Sequence, residues 1–232
     1  MASGLMQRDQ KAGKAPPKLL YVDRDCCYLS LVLNAATMFP EWDQLVVRLD
    51  MCHLMRRFAA GCTTESHQLY GTFMGWLFAS IFQWAEEDVA LLMEAKRSEL
   101  EGKQRVFGLT DAEVSSCISK KELALHCRRR TRAAEETAQL LEELIETFDG
   151  EKGLDTMGIP LLDHDRIQAI WLVQRRPLHC IQDPPGVQLN TKIGQLKKGG
   201  VTLPVYRCAR GSTSTASSQV PVQVPCTLRH TC

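Results

Sequence analysis

Two short stretches hold residues whose type and spacing could do chemistry. KLLYVDRDCC, from Lys18 to Cys27, drives an aliphatic run into Asp23 and Asp25. QLVVRLDMCHLMRRF, from Gln44 to Phe58, does the same at Asp50 and continues into Cys52 and His53. A carboxylate at the carboxyl end of a buried strand sits where open α/β sheets place ligands and catalytic groups. With a mate on a neighbouring strand it supplies hard oxygen ligands that fix Mg²⁺ or Mn²⁺ against phosphate oxygens. The same aspartates suit a second role, capping the first amides of a following helix, and Asp50 suits it better than Asp23. Spacing alone leaves both roles open.

Other chemistries are poorly served. Cys52-His53, His126-Cys127 and His179-Cys180, with Cys208 further on, invite a zinc reading, but neighbouring residues on a helix point apart and no Cys-x₂₋₄-Cys or His-x₃₋₅-His spacing accompanies them. No Gly-x-Ser-x-Gly elbow or cysteine-nucleophile signature occurs, and KKGG at Lys197 to Gly200 is a turn rather than a phosphate-cradling loop.

The elements that must position the aspartates follow from hydrophobic periodicity. Leu19 to Asp23 reads as a strand, Cys26 to Met38 as a helix stopped by Pro40, and Leu45 to Leu49 as a second strand. Asp50 then caps a helix that reaches Gly61, which suits the left-handed position past a helix end. Strand, helix, strand, helix is the order that a parallel pair with a crossover requires. Residues 62–176 read as an all-helical block. Ser66 to Trp84 is apolar nearly all round, SKKEL at Ser119 to Leu123 is a capping box opening a helix through ALHCRRR, Ala133 to Phe148 carries an apolar face, and Asp163 caps a helix that Pro177 terminates. Residues 177–210 alternate short apolar runs with Pro-Pro-Gly and Gly-Gly turns and read as two or three short strands. Residues 1–17 form a polar leader and 211–232 a Ser/Thr/Pro/Val-rich tail, both expected to lack order. The fold class is α/β, predominantly helical.

The 232 residues carry a net charge of +1 and are 44% hydrophobic, which argues against nucleic-acid binding by overall charge. Local basic clusters, Arg56-Arg57 and Arg128-Arg129-Arg130, are the candidate nucleic-acid contacts, against the ordinary reading of solvated faces. No apolar leader marks secretion, so the expected setting is intracellular, nuclear or cytoplasmic, with the ten cysteines as thiols. The most apolar run, Leu69 to Trp84, is shorter than the roughly 20 residues a membrane crossing needs, and no membrane partner is expected.

Taken together, YVDRDCCYLSLVLNAATMFPEWDQLVVRLDMCHLMRRF resembles the second-aspartate region of the DDE-type transposases of cut-and-paste DNA elements, the Mutator-like group especially. HLMRRFAAGCTTESHQLYG, ISKKELALHCRRR, CIQDPPGV and YRCARGSTS extend that resemblance to transposon-derived proteins of unknown function common in fish, over most of residues 16–214. It implies a partial RNase H-like core (18–61), a large helical insertion (62–176) and a few short strands near the C-terminus. Asp23 would be the middle catalytic, metal-binding carboxylate, Phe39-Pro40 the Phe-Pro pair, and Asp50 or Cys52 with His53 the terminal motif. In the intact family core a carboxylate triad holds Mg²⁺ or Mn²⁺.

The resemblance also implies that the triad is incomplete here. Its first aspartate would lie upstream of residue 16, and Ala216, within Thr215 to Gln219, stands where the third, a glutamate, would be. The expectation is a truncated transposase-derived fragment without activity and without a bound cofactor, its tail diverging from Thr215 as a frameshift or alternative exon would produce. DNA is one candidate partner. The alternative is a non-enzymatic module that binds a protein, or a second copy, through its helical block.

Overall fold

A computed structural model describes residues 2–13, 15–23 and 39–210. The helix read over Cys26 to Met38, Asp25, the segment from Thr215 to Gln219 and the rest of the tail lie outside the described residues. The chain has a mixed α/β fold in which helix outweighs strand, and it divides into two compact units. The first comprises residues 1–81, 131–187 and 210–232, the second 82–130 and 188–209. Among the described residues no helix is long and apolar enough to cross a membrane.

In the first unit, the leader carries helix α1 (Ala2–Lys11), on which Met6 is buried at 7% exposure. A single apolar contact of that kind is invisible to a reading based on periodicity. Strands β1 (Leu19–Val22) and β2 (Val46–Leu49) pair in parallel, with Leu19 opposite Val46 and Val22 opposite Leu49. Helix α2 (Met51–Ala59) follows β2 at once and buries Leu54, Met55 and Phe58. Gly61 serves a different purpose from the one its position predicts. Its φ is not positive; a Cβ there would lie 2.6 Å from Ile167 Cδ1, so its missing side chain permits close packing.

Helix α3 (Tyr70–Ile81) is the apolar segment, with Phe73, Met74, Leu77 and Ile81 buried and Trp76 exposed. In the second unit, β3 (Phe82–Trp84) leads to α4 (Glu86–Glu99) and a π-helical turn, Leu100–Gln104. Then come α5 (Asp111–Ser116) and α6 (Lys120–His126), whose capping boxes begin at Thr110 and Ser119. The helix read through ALHCRRR stops at His126: Cys127 is extended and β4 (Arg129–Thr131) pairs with β3. Strands of three residues are too short to show a period-two pattern against helical surroundings, so the block contains a strand pair that periodicity does not signal.

The first unit resumes with α7 (Ala134–Phe148), where Leu141, Leu144, Ile145 and Phe148 face inward and Phe148 meets Phe73 edge-on at 5.6 Å. Each such burial stabilises by about 1.5–3 kcal/mol. Helix α8 (His164–Gln174) starts at the Asp163 cap, whose carboxylate accepts from the Arg166 amide at 3.0 Å. A 3₁₀ turn over Arg176–Ile181 then stands where a strand was one reading of LHCI.

The second unit closes with an antiparallel hairpin, β5 (Asn190–Lys198) and β6 (Val201–Cys208). Its core joins Leu203 of β6 to Leu92, Ala95 and Cys127. The turn residues Gly199 and Gly200 have φ of +55° and +83°, a type I′ arrangement, and a Cβ on Gly199 would lie 2.4 Å from the Ala95 carbonyl oxygen.

Beside that turn, Lys96 lies 3.2 Å from Glu122 and 3.5 Å from Glu99, and Lys198 pairs with both acids. Burial pushes the Glu122 carboxyl up, but hydrogen bonds from Lys198, the Ser119 amide and hydroxyl, and Lys96 outweigh it and draw the pKa down to about 2. A carboxylate depressed in the folded state adds stability that is complete above its unfolded value and is lost as pH falls through the folded one. Thermal melts of the native chain and of Glu122→Gln are therefore expected to differ at neutral pH, the variant melting lower, and to converge as pH falls from about 4.5 toward about 2. A gap that persists unchanged to the acid end would contradict the ion cluster.

Candidate functional site

The register of β1 against β2 decides where the two aspartates stand. Because Val22 faces Leu49, residues 23 and 50 leave the strands side by side at their carboxyl ends, and the Asp50 amide donates to the Val22 carbonyl at 2.7 Å. The sequence pair is thus a spatial pair, but the two carboxylates have different surroundings. Asp50 is 1% exposed, and its Oδ1 accepts the amides of Cys52 at 2.7 Å and His53 at 3.4 Å. It caps α2, and the positive end of the helix favours its charge. His53 Nδ1 approaches the same oxygen at 3.6 Å, beyond hydrogen-bond range, and is buried with no hydrogen-bond partner among the described residues.

Asp23 is exposed, and its backbone carbonyl accepts from Arg57 Nη2. Arg57 also donates through Nη1 to Gln174 Oε1 at 2.9 Å, with Gln174 itself buried at 7% exposure. Sequence reading misses Gln174, because a lone glutamine at a helix end carries no signal of its partner. Arg56 is exposed on α2. The site therefore brings together Asp23, Asp50, Cys52, His53 and Arg57 within the first unit.

Among the described residues this donor set does not fit a two-metal centre. Asp50 Oδ1 is engaged at the helix start, Asp23 is exposed beside it, and among the described residues no group of three or more His, Cys, Asp or Glu side chains could hold a metal ion. The histidine and cysteine pairs do not converge either. His126 Nδ1 lies 2.7 Å from the Pro204 carbonyl oxygen. Cys62 and Cys127 are buried, which pushes their thiols up to about 11 and about 12 and leaves them poor nucleophiles at neutral pH. Among the described residues Cys52, Cys62, Cys117, Cys127 and Cys208 are thiols.

The second basic cluster belongs to the second unit and is extensively paired within it. Arg128 donates its amide and Nε to Asp88 Oδ2, each at 2.8 Å, and Nη2 to Asp88 Oδ1 at 3.0 Å and Glu87 Oε1 at 2.9 Å. The hydrogen bonds to Asp88, outweighing burial, raise its guanidinium above the usual range. Arg130 reaches Glu87 at 2.7 Å, and Arg129 lies over the rings of Phe82 and Trp84 at 5.5 and 5.6 Å. The run of acids from Glu86 to Asp88 opening α4 was the available signal for these partners.

Comparison with protein-family models, with curated proteins and with solved structures finds no match.

The cap and the exposed carboxylate make separable predictions. Asp50→Ala is expected to lower stability by about 1–2 kcal/mol through loss of the α2 cap, with Asp50→Ser restoring part of it. Asp23→Ala is expected to change stability by less than about 0.5 kcal/mol. Urea unfolding of the three variants checks both, and equal losses at Asp50 and Asp23 would contradict the division of roles.

Proposed function

We propose that the chain is a transposase-derived protein whose present residues do not carry out phosphoryl transfer. Its ancestral activity in this reading is metal-dependent DNA transposition on an RNase H-like core. One observation carries the reading: a parallel strand pair delivers Asp23 and Asp50 to the same edge, yet Asp50 Oδ1 is taken up by the first amides of α2, and no cluster of three metal-ligating side chains forms among the described residues. Paired metal ions acting on a phosphodiester need several oxygen ligands at once. Asp23 is then a vestigial member of a metal-binding triad. The intracellular, nuclear or cytoplasmic setting belongs to the same proposal.

The test uses the full chain with supercoiled and linear DNA in Mg²⁺ or Mn²⁺, scoring nicking and strand transfer beside Asp23→Ala. No difference between the two proteins is expected. Metal-dependent cleavage lost in Asp23→Ala would overturn the reading.

A second reading, a non-enzymatic interaction module, is favoured by the loop from Leu154 to Pro160. Its backbone is held by Asp155 Oδ1, which accepts the amides of Met157 at 2.8 Å and Ile159 at 2.9 Å. Buried His67 accepts the Leu69 amide on Nδ1 at 3.1 Å, which leaves Nε2 to donate to the Ile159 carbonyl at 3.0 Å. On this fixed frame Leu154, Met157 and Ile159 are exposed, Met157 at 82%. Such a preorganised apolar projection suits a protein contact better than a phosphate backbone. Titration with a duplex oligonucleotide at rising salt separates the readings. Affinity that falls steeply with salt assigns a phosphate contact and favours the first, whereas no binding at low salt favours the second.

A further inference from the structure

The hairpin that closes the second unit has an open side. Thr191 to Lys197 of β5 are all exposed, and among the described residues no backbone hydrogen bond beyond the ladder reaches β5 between Thr191 and Lys198. The register shows which of its groups point outward. Gln195 lies opposite Pro204, which has no amide to exchange and whose carbonyl faces His126. That pair is therefore a non-hydrogen-bonded one. Counting from the pair that closes the two-residue turn, Lys198 with Val201, gives the same alternation and places Lys197 in the same class. The amide and carbonyl groups of Gln195 and Lys197 thus face the open edge.

The side chains along that edge are two-sided. Leu203 of β6 is 1% exposed in the core, whereas its cross-strand neighbour Leu196 is 49% exposed, because beyond β5 nothing among the described residues covers it. Gln195 and Lys197 alternate with Leu196 onto the opposite, polar face. The hairpin has no carboxylate between Asn190 and Cys208, and its basic residues are Lys192, Lys197, Lys198 and Arg207. Lys198 is paired with Glu99 and Glu122; the other three form no ion pair among the described residues.

We propose that the outer edge of β5 is a docking site for an acidic extended segment of a partner protein, which adds as a third strand from Gly194 to Lys198. Outward backbone groups at Gln195 and Lys197 would supply main-chain pairing, an apolar side chain would cover Leu196, and carboxylates would meet Lys197 and Lys192. Lysines on an edge and the bulge between Lys192 and Gly194 are devices that discourage indiscriminate pairing. Here they also choose the partner. A second β5 edge would set lysine against lysine, which disfavours self-association, while an acidic strand turns the same repulsion into attraction.

The test uses the full chain and a labelled synthetic peptide of about eight alternating valine and glutamate residues. Binding is read by anisotropy and by hydrogen exchange at the Gln195 and Lys197 amides. The expected result is saturable binding that slows exchange at both amides. Gln195→Pro removes an outward donor at a position that gives the hairpin none, and should weaken binding by about tenfold or more. Should that variant fail to fold by circular dichroism, the exposed pair Lys192→Glu with Lys197→Glu carries the same expectation. The proposal is overturned by absent binding at about millimolar peptide, or by binding that Gln195→Pro leaves intact in a folded chain. It is equally overturned by duplex DNA binding that the lysine variants abolish, in place of peptide binding, without protection of the two amides.

Discussion

A carboxylate removed from water must find its hydrogen bonds inside the protein, and at Asp50 they come from the first amides of α2. That requirement fixes the junction where β2 turns into helix without a loop. It also fixes what lies on either side. Upstream, the Asp50 amide extends the parallel pairing of β1 and β2 to the last residue of β1. Downstream, α2 is aimed so that Phe58 is fully buried with its ring 6.4 Å from that of Trp171 on α8, and Gly61 lets Ile167 approach. The same bonds engage Asp50 Oδ1 at the start of α2.

The second unit meets a comparable constraint with cations. Its basic run from Arg128 to Arg130 reads as a solvated or DNA-facing patch, but Asp88, 6% exposed, needs partners and receives them from Arg128. Near the Gly199 turn, Lys96 and Lys198 likewise hold Glu99 and Glu122. Charge that would otherwise advertise a polyanion surface is absorbed in joining α4, α6 and the strands. On the outer side of the hairpin Lys192 and Lys197 form no ion pair among the described residues, and there they accompany open backbone.

Much of the framework was legible in the chain. Aliphatic runs ending in Asp23 and Leu49 give the strands, Ser119 and Glu122 give a capping box, Asp50 and Asp163 give caps, and Gly199-Gly200 gives the hairpin turn. These signals are local, because a cap or turn involves residues within a few positions of one another. The site was legible to the extent that both aspartates were marked, and the competing roles of metal ligand and cap were both in view.

The sequence by itself determined local elements such as the two strands that end at the aspartates and the helix that Asp50 caps. Only the tertiary structure decided that Asp50 caps α2 from beside the end of β1, where β3 and β4 form, that Gly61 serves packing rather than a left-handed turn, and which acids pair with Arg128 and Arg130. The physical reason is range. Capping and turn preferences act within a few residues, whereas the partners of Arg57, Arg128 and Lys198 are brought together by long-range packing and pairing that no local spacing encodes.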